Sequence, residues 1–125
     1  MKALLSLAAA VALTTPAFAD CPYPSPPAKL PDGNSATMEE MVTAQKSVKT
    51  YNTQINEYLA CLDKEQADAE SAAGGEKASD EQKQKIAKMK QVQAQKHNAA
   101  VDQAQSVADH FNEQVRIFKA KNAKS

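Results

Sequence analysis

The chain has 125 residues, with 15 basic and 15 acidic side chains. That length holds one small domain at most. The balanced charge supplies no global field that would draw the chain onto nucleic acid or an anionic membrane.

The N-terminus reads as a cleavable signal peptide over residues 1–19. Met1-Lys2 is a positive start, Ala3–Leu13 an apolar run, Thr14-Thr15-Pro16 a break, and Ala17-Phe18-Ala19 an A-x-A cleavage signal before Asp20. A membrane-spanning helix needs ~20 apolar residues, so this run is too short to be one. Lipoprotein processing at Cys21 would want a small residue before it, and Asp20 is unfavourable. Cleavage between Ala19 and Asp20 is therefore expected, giving a periplasmic or secreted protein with no transmembrane anchor.

Residues 20–34 form the next unit. Prolines 22, 24, 26, 27 and 31 remove backbone donors and fix φ, so the segment is expected as an extended, polyproline-like arm. Pro31-Asp32-Gly33 reads as a turn. Cys21 and Cys61 are the only cysteines. An exported chain meets an oxidising compartment, so a Cys21–Cys61 disulfide is expected. No C-x-x-C redox motif is present.

Helix 1 is expected over about 36–73. Thr37 and Glu40 fit a capping box, with Ser35 as an alternative cap. Met41, Ala44, Val48, Tyr51, Ile55, Tyr58 and Leu62 then follow at alternating steps of three and four. That is a heptad seam of coiled-coil type, whereas a strand would need period two. Gly74-Gly75 ends the helix, and residues 74–78 form the turn. Helix 2, about 79–120, opens on a second capping box, Ser79 with Gln82. Its seam is poor at Ile86, Met89 and Val92 or Gln93, and clear at Ala100, Ala104, Val107, Phe111 and Phe118.

The expected fold is all-α: an antiparallel two-helix hairpin, coiled-coil-like, with a Pro-rich arm tethered by the disulfide. A turn centred near Gly75 places residue i opposite about 150 − i. Tyr51 then faces Ala100, Tyr58 faces Val92, and Met41 faces Phe111. Asp63, Glu65 and Asp68 come near Lys83, Lys85 and Lys88. Helix 1 from Thr37 to Cys61 is ~36 Å long. The arm from Cys21 to Ser35 reaches ~43 Å. It can therefore lie back along helix 1, with Tyr23 and Leu30 over the groove. Closing such a loop contributes ~4 kcal/mol in the chain-entropy account.

Functional signals are sparse. His97 and His110 are ~20 Å apart on one helix and cannot share a metal within the monomer. His97 reads as an interfacial histidine facing Ile55. His110, Met41 and Met38 form a candidate soft-metal set of the kind copper proteins use, although methionines at helical spacing more often fill a core. No cofactor is expected. Lys83–Lys96 holds five lysines and no acid, but no aromatic for base stacking, so it reads as a solvated face rather than a nucleic-acid site. There is no G-x-S-x-G, H-E-x-x-H or P-loop, and no enzymatic activity is expected. Val101, Ala108 and Val115 make a second stripe beside the seam, and Met38 and Val42 widen the facing end. This wider face expects cover, from the arm or from a second copy in a four-helix bundle.

Asp20-Cys21-x-Tyr23-Pro24, Pro31-Asp32-Gly33-x-x-Ala36-Thr37-x-x-Glu40-Met41, Tyr51-Asn52 and Tyr58-Leu59-Ala60-Cys61-Leu62 together form a pattern. With Asn98-Ala99-Ala100-Val101-Asp102 and Phe111-Asn112-Glu113-Gln114, it resembles a group of short proteobacterial envelope proteins with a signal peptide and two cysteines. The resemblance implies a periplasmic location and carries over no functional residue. The expected role is a non-catalytic protein-interaction or structural component of the cell envelope. A periplasmic chaperone-like client binder is the alternative, although no LTxxQ-type motif is present. A metal-binding helical module stands third.

Overall fold

The computed structural model describes residues 20–124. The expected signal peptide and its cleavage point after Ala19 lie outside the described residues. The described chain is all-helical: helix α1 spans Met38–Ala73, a 3₁₀ turn spans Gly75–Lys77, and helix α2 spans Asp80–Asn122. No helix among the described residues is long and apolar enough to cross a membrane.

Local chemistry sets both helix starts. The Thr37 hydroxyl accepts from the Glu40 N–H, and the Glu40 carboxylate accepts from the Thr37 N–H at 2.7 Å. Ser79 and Gln82 repeat the arrangement at α2. Each box satisfies two of the orphan donors that open a helix, and a cap of this kind is worth ~1 kcal/mol. Gly74 stops α1 at φ 95°, donating its N–H to the Glu70 and Ser71 carbonyls. A side chain is strained in that left-handed region, so glycine is the residue that allows the stop.

The buried positions of α1 are Met41, Ala44, Val48, Tyr51, Ile55, Tyr58 and Leu62, which is the whole predicted seam. From α2 they meet Ala100, Val107 and Phe111, with Ala104, Val115 and Phe118 half-buried against them. Apolar side chains leaving water at this spacing hold the two rods together.

The register differs from the expected one. Glu65, expected opposite Lys85, instead accepts from Gln93 Nε2 at 3.2 Å. Glu70 pairs with Lys90 at 2.9 Å. At the far end Met38 and Met41 share a groove with Val115 and Phe118 as well as Phe111. The displacement is about one heptad, or two helical turns. A seam that repeats every seven residues stays apolar on apolar after such a slip, so the pattern alone does not exclude it. The anticipated charge pairs go with the old register: Asp68 pairs with Lys64, and Lys85 with Glu81, each within its own helix.

The slip leaves the turn end splayed. No described residue of α2 before Gln93 is buried. Ile86 and Met89 are half-buried, and Val92 is 49% exposed. A wedge of about 260 Å³ opens there between Glu70 and Ala73 on one side and Ile86, Ala87 and Lys90 on the other. The packed part of the hairpin runs from Leu62 and Gln93 to the end far from the turn.

Candidate functional site

The arm carries no regular secondary structure from Asp20 to Asp32, as its prolines dictate. The disulfide joins Cys21 to Cys61, with 5.7 Å between their Cα atoms. The Tyr23 ring meets the Tyr58 ring edge to face, with centroids 5.1 Å apart and planes at 74°. An aromatic pair of this geometry adds ~0.5–1.5 kcal/mol beyond area burial. Leu30 and Ala36 pack on the core. The arm therefore runs back along α1 and covers one side of the hairpin.

Asp32 organises the corner between arm and helix. Its carbonyl accepts from the Ser35 and Ala36 N–H groups, and its carboxylate from the Asn34 N–H. This is the side-chain-to-backbone bonding that makes Asp a turn residue. Gly33 is buried and donates its N–H to Gln114 Oε1 at 2.9 Å. A Cβ at Gly33 would lie 2.2 Å from the Gln114 carbonyl oxygen and 2.9 Å from both Ile117 Cβ and Phe118 N. Glycine is needed here for close approach to α2. Lys121 donates to the Asn34 carbonyl at the same corner.

Three polar features lie along the covered side. Tyr51 is almost wholly buried, and its hydroxyl has no hydrogen-bond partner among the described residues. The Tyr23 phenol lies beside it without a bond of ordinary geometry. Burial, then the neighbouring Tyr23, pushes the Tyr51 phenol above its ordinary range. Tyr58 moves the same way for the same first reason, with Tyr23 and Glu65 adding to it. Near the bridge, Cys21, Cys61 and Glu65 bring their ligand-type atoms within 4.8 Å of one another. A cleft of about 520 Å³ beside the arm is lined by Pro22, Tyr23, Pro24, Gln54, Glu57 and Tyr58.

The other side of the hairpin is different. At its open end, Met38, Met41 and Val42 of α1 and Phe111, Val115 and Phe118 of α2 line a groove of about 260 Å³. Met38 is 64% exposed and Val42 41%. Val101, farther along the second stripe, is also exposed. No residue of the arm lines this groove, although Gly33 approaches the Phe118 backbone beside it.

The proposed metal set is not gathered into one site. Met41 is buried in the core, Met38 is exposed, and His110 is exposed and does not line the groove the two methionines share. Phe111, the neighbour of His110, does line that groove with Met41, while His110 itself is turned to the exposed side of α2. His97 is half-buried beside Leu62, Asp63 and Gln66, not Ile55, because of the slipped register. The lysines of 83–96 are exposed, and Lys90 makes the interhelical ion pair with Glu70. That pairing, with help from Gln66, holds the Glu70 carboxyl below its ordinary range.

Sequence reasoning set Glu65 near Lys85 and Gln93 as an alternative in the seam, and missed that the two meet and that Glu65 lies beside the cysteines. One signal was available: Cys61 and Glu65 are four residues apart, which puts them on one helix face. Comparison with protein-family models, curated proteins and solved structures finds no match.

Proposed function

We propose that this chain is a non-catalytic helical module of the bacterial cell envelope, exported to the periplasm and engaged in protein interaction or envelope structure. The observation that carries the reading is the asymmetry of the hairpin. One side is closed by a disulfide-anchored arm, while the groove of Met38, Val42, Phe111, Val115 and Phe118 is left open at the far end. Met38 and Val42 are exposed beside the half-buried Val115 and Phe118, and apolar surface gathered in a groove favours a protein partner. The covalent bridge fits an oxidising compartment. The signal-peptide pattern of residues 1–19 and the resemblance to short envelope proteins support the same location.

The test is site-specific photo-crosslinking in cells that export the chain. A crosslinker at Val42 or Val115 is expected to trap a discrete partner, and one at the exposed Thr53 is not. Equal labelling from all three positions would remove the groove from the proposal. A purified chain that suppresses aggregation of an unfolded client at modest excess would favour the chaperone-like reading instead. Recovery of the chain in the periplasmic fraction, beginning at Asp20, tests the export.

A further inference from the structure

We propose that the two cysteines have a second state: when reduced, Cys21 and Cys61 bind one thiophilic divalent cation such as Zn²⁺ together with Glu65, so that bridge and metal exclude each other. The inference does not depend on the interaction reading above.

In the bridged form the two disulfide sulfurs and a Glu65 carboxylate oxygen lie within 4.8 Å of one another, so opening the bridge leaves two thiols beside that carboxylate. Zinc accepts this donor set, with Zn–S near 2.3 Å and Zn–O near 2.1 Å. Small side-chain rotations bring all three atoms onto one ion, and water completes the tetrahedron. Glu65 supplies the independent indication. It is half-buried and negatively charged, yet its partner is the neutral amide of Gln93, at 3.2 Å. It makes no ion pair among the described residues. Gln93 is itself buried, and its Oε1 has no hydrogen-bond partner among the described residues. A carboxylate held in place by an amide, with no cation beside it, is prepared to accept one. Orientation of a ligand by a neighbouring hydrogen bond is the usual support of a metal site.

Reduction does not scatter the donors. Cys21 stays near Cys61 because Tyr23 packs on Tyr58, Leu30 packs on the core, and Gly33 is bonded to α2. The chemistry balances with a dithiol reductant. The donor gives two electrons and two protons, the S–S bond breaks, two thiols form, and the donor becomes a disulfide. The cation then displaces both thiol protons to solvent, because thiolates are the ligands. In the reverse direction a disulfide oxidant takes two electrons from the thiolates and becomes a dithiol with two protons from solvent, the Cys21–Cys61 bond reforms, and the ion is expelled.

The probe is Co²⁺, added to the purified chain in its reduced and oxidised forms under anaerobic conditions. The reduced chain is expected to develop a thiolate-to-cobalt charge-transfer band saturating at one Co²⁺ per chain, displaced by Zn²⁺. The oxidised chain is expected to show none. Cys21→Ser is expected to abolish the band. Glu65→Gln is expected to weaken Co²⁺ binding about tenfold or more, and Gln93→Leu to weaken it by roughly ten- to a hundredfold. Far-UV circular dichroism runs beside each titration; if reduction loosens the fold, recovery of helix on adding one Co²⁺ per chain supports the site equally. No band in the reduced chain, wild-type affinity in Glu65→Gln, or saturation at one Co²⁺ per two chains would overturn the proposal.

Discussion

Replacing Gly33 by alanine tests how tightly the arm is seated. The added Cβ would meet the Gln114 carbonyl oxygen at 2.2 Å, with Ile117 Cβ and Phe118 N at 2.9 Å. Ordinary contact begins near 3.5 Å, so the corner must retreat by roughly 1 Å or more. Two of the three obstructing atoms belong to the α2 backbone, which cannot rotate aside. Retreat breaks the 2.9 Å bond from the Gly33 N–H to Gln114 Oε1, a loss of ~1 kcal/mol. Overpacking adds ~1–3 kcal/mol. A gain of ~0.4–1 kcal/mol from the less flexible unfolded chain works the other way. The net expectation is a loss of about 2 kcal/mol. For a domain of about this size that lowers Tm by roughly 8–16 °C. Thermal unfolding by circular dichroism, with the disulfide intact, reads it directly. Gln114→Ala in the same chain should not restore Tm, since the obstructing oxygen is a peptide carbonyl. A Gly33→Ala protein that melts within 2 °C of the parent, or rescue by Gln114→Ala, would refute the reasoning.

Leu62→Ala is expected to cost ~2–5 kcal/mol by urea denaturation, because Leu62 is 2% exposed in the packed part of the hairpin. Ile86→Ala at the splayed end should cost less than half of that, and equal losses would contradict the splay. Tyr51→Phe removes a buried hydroxyl with no partner among the described residues and is expected to leave Tm unchanged or raise it. The pH dependence follows from the same residue. A phenol whose folded pKa is raised holds its proton longer than the unfolded chain does, so its contribution is present below about pH 10 and is lost as pH rises beyond. The alkaline fall in stability should be shallower in Tyr51→Phe. Glu70 has the opposite sign. Its lowered pKa gives stability above the ordinary glutamate range, lost as pH falls through the folded value. An NMR titration of the Glu70 carboxyl should show a midpoint below that of an exposed glutamate, and Lys90→Met should move it up.

The helices were legible because their signals are local. The Thr37 and Ser79 boxes, the glycine stop and the seam from Met41 to Leu62 depend on residues within a turn or two of each other. The Cys21–Cys61 pairing was legible by elimination. The register was not, since any shift by a heptad preserves the apolar match. What decides between registers is the turn path and the fit of particular side chains, such as Gln93 against Glu65. Gly33 read as a turn glycine from its neighbours Pro31 and Asp32. Its closeness to Gln114 and Phe118 depends on the meeting of segments some 80 residues apart. The grouping of His110 with Met41 and Met38 was read from helical spacing, which does not settle which side chains line one groove, and His110 does not line the one the methionines share; the grouping of Glu65 with the cysteines needed the arm's path.

The bridge between Cys21 and Cys61 lies wholly on the N-terminal side of Gly74. Severing the chain at Gly74-Gly75 therefore yields a front piece that keeps its ring and a back piece tied to it by no covalent bond. Almost nothing buried is lost at the cut, since that end of α2 contributes no core residue before Gln93. The molecule is thus divisible by construction: two separately made pieces carry all the surfaces needed to find each other and rebuild it.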